Sequence, residues 1–396
     1  MNGPIKLAVP LLAALAIAAC NAGGTSTMPG APGQSSAQAN HVPQWEATHA
    51  ARRACGEAVR PGYARCDALI INDRAIRPDV AGWGPIDFQT RYNLPSGTNG
   101  AGQIVAIVDA YDNPNAASDL STYRTNFGLG TANFTKYNQN GQTSGYPSGD
   151  RNWGLEEDLD IQMVSAVCPK CTIYLIEANG ADQSDLQTAE KTAVTLGAHI
   201  VSNSWGCFGS NNCVDSSDFD TPGVVYLASA GDSGYGTQGP AALASVVSVG
   251  GTVMSKSGST YSETTWNGTG AGCATGITKP SWQHDSGCTY RTMNDIAAVA
   301  WQAAEYDSYG YGGWITVGGT SVASPMMGGV FGLAGNASSL DAGKKFWTLK
   351  KRKRKKELHD ITTGSDGSCG GSYLCTAGVG YDGPTGWGTP NGIKAF

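Results

Sequence analysis

Short runs of consecutive apolar residues alternate along this chain with stretches in which apolar residues recur every three to four positions. Ile104 to Val108, Cys171 to Ile176, Gly223 to Ser229 and Val246 to Val249 have the length and β-branched content of strands buried on both faces. His199 to Ser204 and Trp314 to Val317 read the same way. Between them, Ala116–Phe127 and Gln183–Leu196 carry helical periodicity, and Leu155, Leu159 and Met163 repeat every four residues, as on a helix packed along one stripe. Strands separated by helices build βαβ units. The expected fold is therefore α/β, with a mostly parallel central sheet flanked by helices in one large domain. Ligand sites of such sheets lie beyond the carboxyl ends of the strands, and that is where the polar exceptions in this pattern fall.

The two ends of the pattern differ. Residues 1–20 combine Lys6 with an apolar stretch, Leu7 to Ala19, too short to span a bilayer. The stretch ends Ile17-Ala18-Ala19-Cys20, so the segment reads as an export signal with a lipobox-like end and Cys20 as the lipid-bearing residue. Residues 21–40 hold no large apolar cluster and are expected to act as a flexible tether. A short extension at 41–82 precedes the main domain at 83–396. The chain is thus expected to be exported, either to the cell envelope as a lipoprotein or to the periplasm or medium.

Composition narrows the class. Charged residues make up 15% of the 396 positions, against 55 Gly, 10 Trp and 16 Tyr, which fits a turn-rich globular protein and excludes a disordered one. A formal net charge of −6 argues against nucleic acid as a partner, because a phosphate backbone rewards a basic face. Of eleven cysteines, ten besides Cys20 fall into five local pairs: Cys55/Cys66, Cys168/Cys171, Cys207/Cys213, Cys273/Cys288 and Cys369/Cys375. No second CxxC and no clustered His accompany Cys168 and Cys171, so structural disulfides in an oxidising compartment are the expectation.

Candidate chemistry begins at Gly318-Gly-Thr-Ser-Val-Ala-Ser-Pro325, a serine between a strand and a run of small residues. A serine at such a junction is presented to substrate, and its own N–H at a helix N-terminus can stabilise an oxyanion. Ser321 as nucleophile needs a base. None of the five histidines, His41, His49, His199, His284 and His359, stands in a context that supplies one. Carboxylates offer an alternative in Trp153-Gly-Leu-Glu-Glu-Asp-Leu-Asp160. Glu156 and Asp160, four apart on a helix, share a face, and Glu157 and Asp160, three apart, do nearly as well; spacing does not choose between them. Asp109 closes the first strand and is a rival base.

Taken together these segments resemble the sedolisin family of serine-carboxyl peptidases, in the subtilisin-like clan. Members carry the Gly-Thr-Ser-x-Ala-x-Pro segment, a Glu-x-x-x-Asp helix, a Ser-x-Gly-Asp-x-Gly segment matched by Ser229 to Gly234, and a Ser-x-Ser-Trp-Gly strand matched by Ser202 to Gly206. The match runs in order from about Trp83 to the C-terminus. The resemblance implies a subtilisin-like fold and a peptidase acting on proteins or peptides in acid. It implies Ser321 as nucleophile, Glu156 as base, Asp160 orienting it and Asp232 in the oxyanion hole, with Ser204, Trp205 and Gly206 bordering the substrate. It also implies a Ca2+ site from Asp360, Asp382 and the carbonyls of Ile361, Gly378 and Gly380.

Two features depart from the family. Only about 60 residues lie between Cys20 and Trp83, below the size at which a domain usually stabilises itself, where members carry a long pro-domain; 41–80 stands as a reduced substitute, or activation differs. The run Lys350 to Lys356 is a solvated face or a contact for anionic envelope components. The chain is expected to be a monomer, and the competing function is an inactive peptidase-fold protein that serves as a cell-surface binding module.

Overall fold

The computed structural model describes residues 1, 3, 42–56, 60, 62–71, 80–207 and 210–396. Apart from the two isolated positions, the expected export signal at 1–20 with its Cys20, and the tether at 21–40, lie outside the described residues. The described residues from Val42 onward belong to one compact unit. No helix among the described residues is long and apolar enough to cross a membrane.

In chain order the structure opens with a short helix, α1 (Gln44–Ala47), and three short strands, β1 (Ala51–Arg53), β2 (Arg65–Cys66) and β3 (Leu69–Ile71). The central α/β region follows: α2 (Pro85–Arg91), β4 (Ile104–Ala110), α3 (Ala116–Asn126), β5 (Asn133–Asn138), α4 (Arg151–Val167), β6 (Thr172–Ala178), α5 (Gln183–Thr195), β7 (Ile200–Asn203), β8 (Trp205–Gly206), β9 (Val225–Ser229) and β10 (Val246–Ser257). Next come β11 (Thr260–Thr265), β12 (Cys273–Thr278), β13 (Tyr290–Thr292), β14 (Ile296–Val299), β15 (Trp301–Asp307) and β16 (Gly313–Gly318). Three helices, α6 (Thr320–Ala334), α7 (Ala342–Thr348) and α8 (Lys351–Glu357), lead into the C-terminal loops.

The apolar runs become the sheet that their pattern predicts. Its order is β11-β10-β9-β7-β4-β6-β5, with β14 also paired to β10. Every pair from β10 to β5 is parallel, and only β11 runs antiparallel to its neighbour. Helix starts follow local chemistry. Asp150 caps α4 by accepting from Asn152 N (2.9 Å) and Trp153 N (3.0 Å), and Pro85 supplies a pre-set φ at the first turn of α2.

Two features go beyond the pattern. α4 is buried from Trp153 to Val167 on every face, not along one stripe, because sheet, α3, α6 and β15 enclose it. A second, four-stranded antiparallel sheet, β1-β3-β16-β15, joins the N-terminal segment to the strand that leads into Ser321.

The packing of α4 on α6 positions the site. Gly329 and Gly332 present bare backbone: a Cβ at Gly329 would lie 2.3 Å from Val167 Cγ2, and one at Gly332 2.5 Å from Cys171 Sγ. Small residues bring the helices close, and Leu155, Leu159 and Met163, all fully buried, each contribute about 1.5–3 kcal/mol by leaving water. All five expected disulfides are formed, and they close loops spanning 11, 3, 6, 15 and 6 residues.

Candidate active site

Ser321 occupies the first turn of α6, directly after β16. The turn between them is made by Gly319, whose φ of 109° lies in the region that favours glycine. Pro325 sits four residues further along the helix. Lacking an N–H, it leaves the Ser321 carbonyl without the usual intrahelical donor, and the Ser204 hydroxyl approaches that oxygen at 3.5 Å. The Ser321 hydroxyl donates to Ser204 O at 3.3 Å. The strand segment Ser204 to Gly206 is therefore in contact with the candidate nucleophile, and it is wholly buried.

The carboxylates of α4 meet it from the other side. Glu156, Glu157, Asp158 and Asp160 are all 0% exposed, so the helix start is not a solvated acidic turn. Glu156 faces Ser321 and Asp160. Burial pushes its carboxyl well above the usual range, the charges of Asp160 and Asp109 push it further, and the Ser321 hydroxyl beside it opposes the shift, although neither Glu156 oxygen has a hydrogen-bond partner. Asp160 is raised well above its usual range by burial and then by Asp109, while the Ser204 hydroxyl, donating to Asp160 Oδ1 at 2.7 Å, opposes this. Two carboxyls in such contact, away from water, hold a proton between them rather than ionise together. Glu157 bonds elsewhere: its Oε2 accepts from Asn113 N (2.9 Å), and its charged neighbours are Glu177, Asp109, Lys136 and Asp158, with Ser321 not among its contacts. The pair left open by spacing is thus resolved spatially, with Glu156 and Asp160 beside Ser321.

Asp109, at the end of β4, stands behind this pair. It is fully buried, neither oxygen has a hydrogen-bond partner, and burial pushes its pKa up to about 8. Among the histidines, His199 is engaged at Nδ1 with Gly223 O (2.8 Å) and His359 at Nε2 with Arg91 O (3.2 Å).

Asp232 follows β9 and reaches the start of α6. Its Oδ1 accepts from Thr320 N (2.8 Å) and Thr320 Oγ1 (3.0 Å), while the buried Oδ2 has no partner. Burial, reinforced by the charge of Asp67, raises its pKa well above the usual range, which favours a neutral carboxyl with a proton to donate from Oδ2. Asp67 itself was not singled out by any motif. Neither was Gln238, which packs against Gly206 and Gly231 at the same place. Long-range strand pairing brings them here, and no local sequence signal encodes it.

The candidate calcium residues form a separate group. Asp360 accepts from Gly380 N at 3.2 and 3.0 Å through its two oxygens. Asp382 accepts from Gly378 N (3.0 Å), Thr385 N (2.9 Å) and Thr385 Oγ1 (2.8 Å). Asp382 is pushed up to about 7 mainly by burial, with the Asp360 charge adding to the shift, so the two carboxylates sense each other. Ile361, beside Asp360, is buried. Both carboxylates accept from N–H groups of the glycine-rich loop; carboxylates together with loop carbonyls are the kind of oxygen donors a hard divalent cation takes. Elsewhere, Asp119, Asp158 and Asp307 bring carboxylate oxygens within 4.8 Å of one another. The basic run forms α8. Arg354 stacks 3.7 Å over Trp387 and anchors that helix, while its neighbouring lysines stay exposed.

Known proteins resemble this chain in sequence and fold. Kumamolisin from Bacillus sp. (strain MN-32) is 29% identical over 350 residues, covering 78% of this chain and 62% of the relative. Sedolisin from Pseudomonas sp. (strain 101) is 28% identical over 353 residues, covering 78% and 60%. The chain thus spans about three fifths of the length of these relatives. The solved structure of Pseudomonas sedolisin, a serine-carboxyl proteinase, complexed with two molecules of pseudo-iodotyrostatin matches with a TM-score of 0.68 at 27% identity, covering 79% of this chain and 96% of that one. Sphericase shares the fold, with a TM-score of 0.51 at 19% identity over 80% of this chain and 99% of its own. No family model matches the chain.

Proposed function

The chain belongs to the sedolisin family, and from that premise we propose that it is a serine-carboxyl endopeptidase that hydrolyses proteins or peptides in acid. The observation that carries the reading is the buried cluster in which Ser204 links Ser321, whose hydroxyl donates to Ser204 O at 3.3 Å, to Asp160, which accepts from Ser204 Oγ at 2.7 Å, with the Glu156 carboxyl beside both. Ser321 Oγ attacks the peptide carbonyl while Glu156 takes its proton and later passes it to the leaving amine. Asp160, sharing a proton with Glu156 and fixed by Ser204, orients the base. Asp232, neutral and donating from Oδ2, holds the oxyanion together with the Ser321 N–H. The resulting acyl-enzyme is hydrolysed by water along the reverse route.

The protons that must be kept set the falling limb of the pH dependence. Asp232 must keep its proton and the Glu156–Asp160 pair must keep one, so activity falls as pH rises through the range where these protons leave. Hydrolysis of an unfolded protein measured over roughly pH 3 to 8 is expected to peak on the acid side. A maximum at neutral pH or above would overturn this assignment of roles.

Calcium is the cofactor that the Asp360/Asp382 group fits, with the carbonyls of Ile361, Gly378 and Gly380 as further ligands. Bound there, it would offset two neighbouring carboxylate charges and tie the C-terminal loop to the strand before it. Saturating calcium is expected to stabilise the fold by about 4 kcal/mol at a thousandfold excess over its dissociation constant. Thermal unfolding with calcium and with a chelator checks this; the difference should vanish in Asp382→Asn. In the cell, the export signal and Cys20 would place the enzyme at the envelope.

A further inference from the structure

We propose that the basic helix α8 docks this protein on an anionic lipid bilayer, with Val379 beside it as the apolar contact. The inference goes beyond the peptidase reading and does not depend on it.

Positive charge is unevenly placed along the chain. Nine of the 26 Lys and Arg stand between Lys344 and Lys356, a stretch without one acidic residue, and the other 17 are outnumbered by 32 Asp and Glu. In α8 and its cap, Lys350, Lys351, Arg352, Lys353, Lys355 and Lys356 are exposed. Among the described residues only Lys356 of these six has an ion-pair partner, Glu357 at 3.8 Å. Lys351 and Lys355, like Arg352 and Lys356, are like-charge pairs four apart, an arrangement that destabilises a helix left in water. An anionic partner reverses the sign of that effect.

The helix is nevertheless built onto the domain. Arg354 turns inward, 3.7 Å over the Trp387 ring, and its Nη1 donates to Phe346 O and Trp347 O, both at 3.3 Å. Glu357 and Leu358 are buried. Asn391 donates from Nδ2 to Lys356 O and from its backbone N to Glu357 O, each at 3.0 Å. The cations are therefore presented by a packed element, and binding does not have to order a loose tail first.

Two observations select a bilayer over a soluble polyanion. Val379 is 85% exposed and lines, with Lys351 and Lys355, one open cavity of about 760 Å³. An apolar side chain set among lysines suits the level where headgroup phosphates meet acyl chains, and does little for a sugar or nucleotide polyanion. Clusters of about four to eight Lys and Arg bind anionic headgroups, and the export signal ending at Cys20 directs this chain to where such lipids are. An acyl chain and a polybasic face are the two signals that together hold a protein on a membrane.

The test is co-sedimentation of the full chain with vesicles of phosphatidylcholine alone, or of phosphatidylcholine and phosphatidylglycerol in equal parts, at low and high salt. An apolar leader or an acyl group on Cys20 contributes alike to both vesicle types, so the ratio of the two affinities reads the charge. The native protein is expected to bind the anionic vesicles at least about tenfold more tightly, and less so as salt rises. Lys350→Gln, Lys351→Gln, Lys353→Gln and Lys355→Gln combined should weaken that binding about a hundredfold or more, at roughly fivefold per charge, with the melting temperature unchanged. Val379→Ser should weaken it severalfold and leave its salt dependence as it is. Equal affinity for both vesicle types, or a preference that the lysine variant retains, overturns the inference. Binding to heparin with none to the vesicles overturns it as well. Hydrolysis of a soluble unfolded protein by the lysine variant should match the native rate, so the docking face and the peptidase reading fail separately.

Discussion

Replacing Ser321 by alanine is expected to lower peptide hydrolysis by about four to six orders of magnitude while leaving the fold in place. The size of the effect follows from what the hydroxyl does. It forms the covalent bond, and no neighbouring side chain on α6 or β8 occupies its position. Glu156→Gln should cost nearly as much, because residues that act as one unit lose most of their effect when either is removed. The amide keeps the shape of the carboxyl but cannot accept the proton. Stability should change little in Ser321→Ala, since the hydroxyl makes a single 3.3 Å bond to Ser204 O. Steady-state rates, with thermal unfolding as the control, check both variants. Retained activity in Glu156→Gln alone would move the role of base to another group, with Asp109 the nearest in kind.

The second large effect concerns the fold. Glu156, Asp160, Asp109, Asp232, Glu190 and Glu305 are all buried carboxyls whose pKa values burial raises in the folded protein. Asp109 and Glu177 are pushed up to about 8. A carboxyl raised above its unfolded value binds more protons in the folded state, so its stabilising contribution is complete below about pH 4 and is lost as pH rises through the folded pKa. The expected window of loss thus runs from about 4 to about 8. A shift of this size on Asp109 alone corresponds to several kcal/mol, against a total stability of about 5–15 kcal/mol. Melting temperatures recorded across that window at fixed calcium should fall steadily with rising pH, and Asp109→Asn should flatten the slope. A melting temperature that rises or stays level would show that these groups ionise without penalty.

Much of this site was readable in the chain because it is written locally. Ser321 sits in a strand–glycine–helix segment whose residue types dictate its geometry, and Glu156 and Asp160 are one helical turn apart. Ser204 directly follows a strand, β7, that the run from His199 marks. The choice between Glu156 and Glu157 was not readable, because both are close enough to Asp160 in helical spacing. It is decided by α6 approaching one side of α4 and by Asn113 and Lys136 occupying the other. The full burial of α4 was equally hidden: an acidic helix start looks solvated until β15 and α3 are packed over it. Asp67 depends on strand pairings across more than a hundred residues, Gln238 on the bridge between Cys207 and Gly239, and neither leaves a periodic trace.

The five disulfides each join cysteines no more than 15 residues apart. Short loops cost little entropy to close, so each thiol meets its native partner far more often than any of the other eight. A newly emerging chain can therefore oxidise in step with its own appearance, bridge by bridge, before the central sheet exists. Native pairing is settled by proximity along the chain and asks little of a shuffling catalyst.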